Sequence, residues 1–301
     1  MLSIGLIKLK KVRNSEGSKM KKYSIITFSI LFIFINIGFG GGIALSQDFN
    51  TLDKIFSNEK SLSFNDYTIE KIPGPQDEQW SAVLKKNDEV IMRFENGFLE
   101  NMTIFGFYPF IANRNKQLVV EQFSGGAHCC WSDWIIELTQ PISILYDSQK
   151  YPVGYGMVIE DINQDGNAEF IQELLTFDYF DRIPHANSPL PAVVFAFDES
   201  SNQFVPANPH FADYLLKDIG ESIQYCEEFT TKVNPDTYDD NTGEYLSSVL
   251  QVVIPYIYVN KEADAWSFFD EKYLLKDKEE IRQKVINQLN TCAVYQYLKE
   301  H

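Results

Sequence analysis

Between about Tyr67 and Val205 the chain alternates short apolar runs with polar or glycine- and proline-containing breaks: YTIEKI, WSAVLKK, EVIMRFE, MTIFGF, QLVVEQF, WIIEL, ISILY, MVIED, EFIQELL, PAVVFAF and NQFVP. The runs recur roughly every ten residues and are rich in Val, Ile, Phe and Tyr, side chains that pack well on a pleated surface, so they predict antiparallel β-strands. After Pro206 the period changes. Asn208 and Pro209 suit the N-cap and first position of a helix, Phe211, Leu215 and Ile219 follow at four-residue intervals, and Gly220 reads as its stop. Further on, Asp277 and Glu280 have capping-box spacing ahead of Ile281, Val285, Leu289 and Cys292, which share one helical face. The pattern therefore predicts an α+β fold. Residues 47–205 form its antiparallel β-rich part, as a sandwich or as partial propeller-like sheets, and residues 206–301 its α-helical region. No internal repeat and no long linker interrupt it.

The first 46 residues belong to neither part. From Met20 the chain reads MKKYSIITFSILFIFINIGFGGGIALSQ: two lysines, an apolar run from Tyr23 to Ile37, glycines, then small residues. That is the layout of a secretory signal peptide. Ala44 and Ser46 are small enough for the narrow subsites of a signal peptidase, which predicts cleavage after Ser46 and a mature chain beginning at Gln47. The run is shorter than the roughly 18–20 apolar residues of a spanning helix, so a stable membrane anchor is not expected after cleavage. An uncleaved anchor is the alternative. The EGSK stretch just ahead of Met20 fits a purine-rich ribosome-binding sequence, making Met20 the expected start. These features place the protein in the periplasm or outside the cell.

Removing that segment sharpens the charge. It holds seven of the 26 basic residues and one of the 42 acidic ones, leaving 19 and 41. So acidic a surface repels phosphate backbones and anionic lipid, which excludes nucleic acid as the expected partner and leaves an unknown protein or glycan ligand.

The most specific chemical signal is DINQDGNAE. Asp161, Asn163 and Asp165 put side-chain oxygens at alternate positions, Gly166 permits a sharp turn, Asn167 can offer a carbonyl, and Glu169 can close the shell. Hard oxygen donors in this order are what Ca²⁺ requires. The loop is not an EF-hand, because position twelve is Gln172 rather than a bidentate glutamate and strands rather than helices flank it. A tight turn with no ion is the plain alternative. With GMVIE before it and EFIQELLTF after it, the segment resembles the strand–loop–strand unit of FG-GAP and VCBS-type repeats in extracellular bacterial proteins. The resemblance spans residues 154–200, one unit, and implies a structural Ca²⁺ on Asp161, Asn163, Asp165, Asn167 and Glu169.

A second stretch, SGGAHCCW from Ser124 to Trp131, carries His128, Cys129 and Cys130. Exported thiols tend to oxidise, so the four cysteines predict two disulfides. Cys226 and Cys292 lie on apolar helical faces and are expected to bridge, leaving a vicinal Cys129–Cys130 ring in a glycine-permitted turn. The alternative staples each of the adjacent pair to one helix. Reduced, His128, Cys129 and Cys130 would offer a partial Cu⁺ or Zn²⁺ site. A cysteine nucleophile aided by His128 is the weakest reading, and the plainest makes His128 a turn residue bonded to the main chain. The GGAHCC segment also resembles one in uncharacterised secreted bacterial proteins, which implies no activity.

No nucleophile elbow, zinc-protease, phosphate-loop or dinucleotide motif is present. Asp178 and Asp181 in FDYFDR lie among aromatics, but in so acidic a chain this reads first as a solvated strand end. The sequence thus favours a calcium-stabilised binding or structural module over an enzyme, with a glycosidase-like secreted hydrolase using paired carboxylates as the alternative.

Overall fold

A computed structural model describes residues 60–73, 79–99, 103–123, 131–234 and 241–301, all of which fall in one compact unit. The predicted signal segment, its cleavage point and the SGGAHCC residues lie outside the described residues.

Among the described residues, twelve strands form three four-stranded antiparallel sheets, each made of strands consecutive in sequence. The first sheet contains β1 (Ser61–Phe64), β2 (Tyr67–Pro73), β3 (Gln79–Lys86) and β4 (Glu89–Leu99). The second contains β5 (Thr103–Tyr108), β6 (Gln117–Phe123), β7 (Trp131–Glu137) and β8 (Ser143–Asp147). The third contains β9 (Val158–Glu160), β10 (Glu169–Glu173), β11 (Ala192–Asp198) and β12 (Gln203–Pro206). The α+β expectation holds, with three sheets followed by helices.

The middle sheet is buried on both faces, and its period-two alternation sorts the two cores. Phe105, Phe107, Leu118, Val120 and Ile136 turn toward Tyr67, Ile69, Ala82 and Leu84 of the first sheet. Val119, Ile135 and Tyr146 turn the other way, into a larger core with the third sheet and the helices. Aromatic rings fill that second layer. Phe170 and Phe195 stack with centroids 5.1 Å apart, and Tyr146 meets both edge-on at 4.6 and 5.0 Å. Such pairs contribute about 0.5–1.5 kcal/mol each beyond the area they bury.

Among the described residues, six helices follow the strands: α1 (Ala212–Leu215), α2 (Ile219–Thr230), α3 (Asn241–Tyr258), α4 (Glu262–Lys272), α5 (Lys278–Thr291) and α6 (Ala293–Glu300). Gly220 does not stop a helix as the spacing suggested; it is the second residue of α2. The turn falls earlier, where a 3₁₀ turn over Asn208–Phe211 and the four-residue α1 precede Leu216. Asn208 is not a helix cap either. Its buried amide clips the third sheet, accepting from Val194 N–H and donating to the Ala192 carbonyl. At α5 the expected face is correct, with Ile281, Val285 and Leu289 buried. Asp277 sits at the N-cap position but makes no side-chain cap bond. Its carboxylate is drawn instead to Arg182 and to the Tyr273 hydroxyl. Residues 205 and 206 thus mark where strands give way to helices, while one core runs across the change.

Candidate functional site

The acidic loop joins β9 to β10. Gln164 (φ 60°) and Gly166 (φ 92°) both adopt left-handed backbone, which folds the alternating oxygens back on themselves. The two Asp161 carboxylate oxygens accept from Asp165 N–H at 3.1 Å and Gly166 N–H at 3.0 Å. Asn163 Oδ1 accepts from Asp165 N–H at 3.0 Å, and Asp165 Oδ1 from Asn167 N–H at 2.7 Å. The loop is also fastened from outside. Ala112 N–H donates to Asn167 Oδ1 at 2.9 Å, and Ala168 N–H to the Phe110 carbonyl at 2.7 Å. With its side-chain oxygen engaged there, Asn167 has its main-chain carbonyl to offer an ion.

Glu169 closes the loop from inside. It is buried, and Oε2 accepts from Ile162 N–H at 2.9 Å. Burial pushes its carboxyl up to about 7; the Ile162 N–H opposes the shift and the Asp165 and Asp161 charges add to it. Asp161, Asp165 and Glu169 thus share one small loop, each accepting hydrogen bonds from main-chain N–H groups. The donor chemistry fits a hard divalent cation, which would relieve that repulsion. Among the described residues, no three His, Cys, Asp or Glu side chains converge as a ready-made metal group.

A second acidic cluster was not singled out in the sequence. Glu121 on β6 and Asp133 on β7 stand directly opposite each other. They share the face of Val119 and Ile135, so both carboxyls enter the layer between the second and third sheets. Asp133 is fully buried, and Oδ2 accepts from Gln172 Nε2 at 2.6 Å. Gln172 in turn accepts from the Tyr146 hydroxyl and donates to the Tyr155 carbonyl. The Glu121 carboxyl makes hydrogen-bond contact with Asp133 and accepts from Met157 N–H. Burial pushes Asp133 up to about 8, with the Glu121 charge adding to the rise and Gln172 opposing it. The signal was present in the alternation: QLVVEQF puts Glu121 in phase with Val119, and WSDWIIE puts Asp133 in phase with Ile135.

The remaining candidates separate. Cys226 and Cys292 are buried free thiols, so the expected bridge between them is not formed. Each has its own surroundings. Cys292 Sγ lies 3.4 Å from Thr176 Oγ1 and 3.5 Å from the Tyr258 hydroxyl, whereas Cys226 is flanked by Ser248 and Thr230. Asp178 pairs with His185 at 2.5 Å. Asp181 instead binds Arg182 at 2.9 Å and Lys284 at 2.7 Å, tying the loop to α5. Burial works to raise the Asp181 carboxyl, but the bonds from Lys284 and Arg182 outweigh it and hold it below its ordinary value. Asp178 and Asp181 therefore have separate partners and do not face each other across a cleft.

A cavity of about 320 Å³ opens beside α6, lined by Tyr146, Asp147, Tyr151, Asp198, Tyr297 and His301 among others. Its acids are occupied. Asp147 caps Gln149 N–H, and Asp198 accepts from the amides and hydroxyls of Ser200 and Ser201. No protein-family model, curated protein or solved structure matches this chain.

Proposed function

We propose that this is an exported binding or structural module whose third sheet is stabilised by a calcium ion in the Asp161–Glu169 loop. The observation that carries the reading is the buried Glu169 carboxyl facing Asp161 and Asp165, an arrangement that a divalent cation would neutralise. Asp161, Asn163, Asp165 and Glu169 would supply side-chain oxygens and Asn167 its main-chain carbonyl. The ion would serve order rather than chemistry, since the loop is fastened to Phe110 and Ala112 and does not line the cavity beside α6. Millimolar calcium outside the cell fills even weak sites of this kind. The hydrolase alternative has less support. The acids beside the α6 cavity are engaged in local turns, and Glu121 and Asp133 meet inside a packing layer rather than across a substrate cleft.

Calorimetric titration tests the calcium reading. The purified protein is expected to bind Ca²⁺, Asp161→Ala and Asp165→Ala to abolish the heat, and the melting temperature to climb with free Ca²⁺ as mass action requires. Identical heats and melting temperatures in wild type and variants would reduce the loop to a turn. Export is tested by sequencing the N-terminus of secreted material, expected to begin at Gln47. The vicinal Cys129–Cys130 bridge would appear in an unreduced digest as one peptide about 2 Da lighter than its dithiol form.

A further inference from the structure

The pair at Glu121 and Asp133 raises a question of satisfaction that the calcium reading does not touch. Asp133 Oδ1 is fully buried and meets no donor, while the Glu121 carboxyl lies in hydrogen-bond contact with the same side chain. Two ionised carboxylates cannot hydrogen-bond to each other, and a buried carboxylate oxygen with no donor keeps its desolvation cost uncompensated. One carboxyl of the pair must therefore supply the donor, or another cation must lie between them. A divalent metal is poorly served here. Gln172 turns its N–H toward Asp133 and its carbonyl oxygen toward Tyr146, so two carboxyls remain where calcium takes six to eight oxygens.

We propose that Glu121 and Asp133 hold a single proton between them, forming an acid-pair clasp that docks the β6–β7 hairpin onto β10 and the Tyr155–Met157 segment. The clasp has partners on every side. β10 brings the neutral Gln172, the segment after Val153 brings the Tyr155 carbonyl and Met157 N–H, and Ser148 Oγ accepts from Asp133 N–H at 2.7 Å. From β8 comes the phenol of Tyr146, itself stacked on Tyr151 and held protonated by burial and by the Asp133 charge. Among the described residues, this phenol and Glu121 are the titratable groups that act on Asp133, and no basic side chain pairs with either acid.

The pH dependence follows from the raised carboxyl. A folded-state value of about 8 against an ordinary value near 4 means the native protein binds the proton more tightly than the unfolded chain. The stabilisation is complete below about pH 4, weakens as pH rises, and is lost by about pH 8. The clasp is thus closed in acid and loosened in mild alkali, and the pair titrates as a unit.

Carboxyl-carbon NMR of aspartate-labelled full-length protein is the direct test. One aspartate resonance is expected to remain in the protonated position at about pH 6, to move only near about pH 8, and to be missing in Asp133→Asn. Across the same range the melting temperature of wild type should fall relative to that of Asp133→Asn, because asparagine cannot ionise. If Asp133→Asn does not fold, Glu121→Gln takes its place and should move the aspartate midpoint down by about one pH unit or more. An unchanged midpoint in Glu121→Gln, or a wild type in which every aspartate ionises in the ordinary acidic range, overturns the shared proton. So does abolition of the late titration by added Ca²⁺ or Mg²⁺ in an Asp161→Ala background, which would make the pair a metal site. Failure of calcium to bind the Asp161–Glu169 loop would leave all these outcomes unaffected.

Discussion

A β-carbon added to Gly156 would stand 2.6 Å from Oε2 of Glu121. The glycine lets the main chain of the segment before β9 run against a carboxyl, and Met157 N–H reaches the same oxygen at 3.3 Å. Gly156→Ala is expected to move the flexible Glu121 side chain rather than the main chain. The loss should be modest, about 1–2 kcal/mol, the scale of a displaced buried hydrogen bond. Urea unfolding measures it, and an unchanged midpoint would show that the contact carries no stability.

Gly243 is the stricter case. A β-carbon there would lie 2.6 Å from the main-chain oxygen of Arg182, an atom that cannot swing aside. Alanine favours a helix over glycine by about 1 kcal/mol. The clash opposes this and is expected to win, since overpacking typically costs about 1–3 kcal/mol. Gly243→Ala should therefore lower the denaturant midpoint, and a raised midpoint would mean that the 182–184 segment yields freely.

Glu169→Gln should change sign with calcium. Without the ion, the substitution removes a buried charge that Asp161 and Asp165 repel, and melting should be unchanged or higher. With saturating Ca²⁺ the wild type gains binding energy that the amide largely forfeits, so the order reverses. Parallel melts in chelator and in calcium read both arms.

The two helical thiols give a count. Cys226 and Cys292 are buried and unbridged, and burial pushes the Cys226 thiol up, which slows its reaction further. Without reductant, an alkylating reagent is expected to leave both unmodified in the native protein and to label both once it is unfolded. A peptide cross-link joining them would contradict the separate surroundings seen here.

Eleven apolar runs read from the sequence coincide with β2 through β12 because each carries either alternation or a β-branched and aromatic stretch. β1 escaped notice because Ser61 and Ser63 leave it only Leu62 and Phe64 to mark a face. The longest helix among the described residues, α3, was also missed. Its residues from Tyr245 to Tyr258 are buried on most sides, so no polar face remains to give a helical period, and Pro255 argues locally against a helix. The calcium-type loop was legible because its donors are contiguous. Glu121 and Asp133 were legible only as acids in phase with inward-facing residues and not as a pair, since only the pairing of two strands across the hairpin makes them neighbours. Nothing in the spacing of Cys226 and Cys292 shows that α2 and the α5–α6 junction give them different neighbours.

The consecutive order of strands within each sheet also bears on how the chain acquires its shape. Each meander closes from one contiguous stretch, so every pairing within it can form as soon as that stretch has left the ribosome, without waiting for distant partners. The first two sheets can complete the smaller core between them in this way. The larger core cannot finish so early, because Tyr245, Phe269, Ile281 and Leu298 supply part of it and are made last. Until they arrive, apolar surface of the third sheet is uncovered. Chains truncated before α3 are therefore the species most prone to aggregate, and a chaperone would have most to hold at that stage of synthesis.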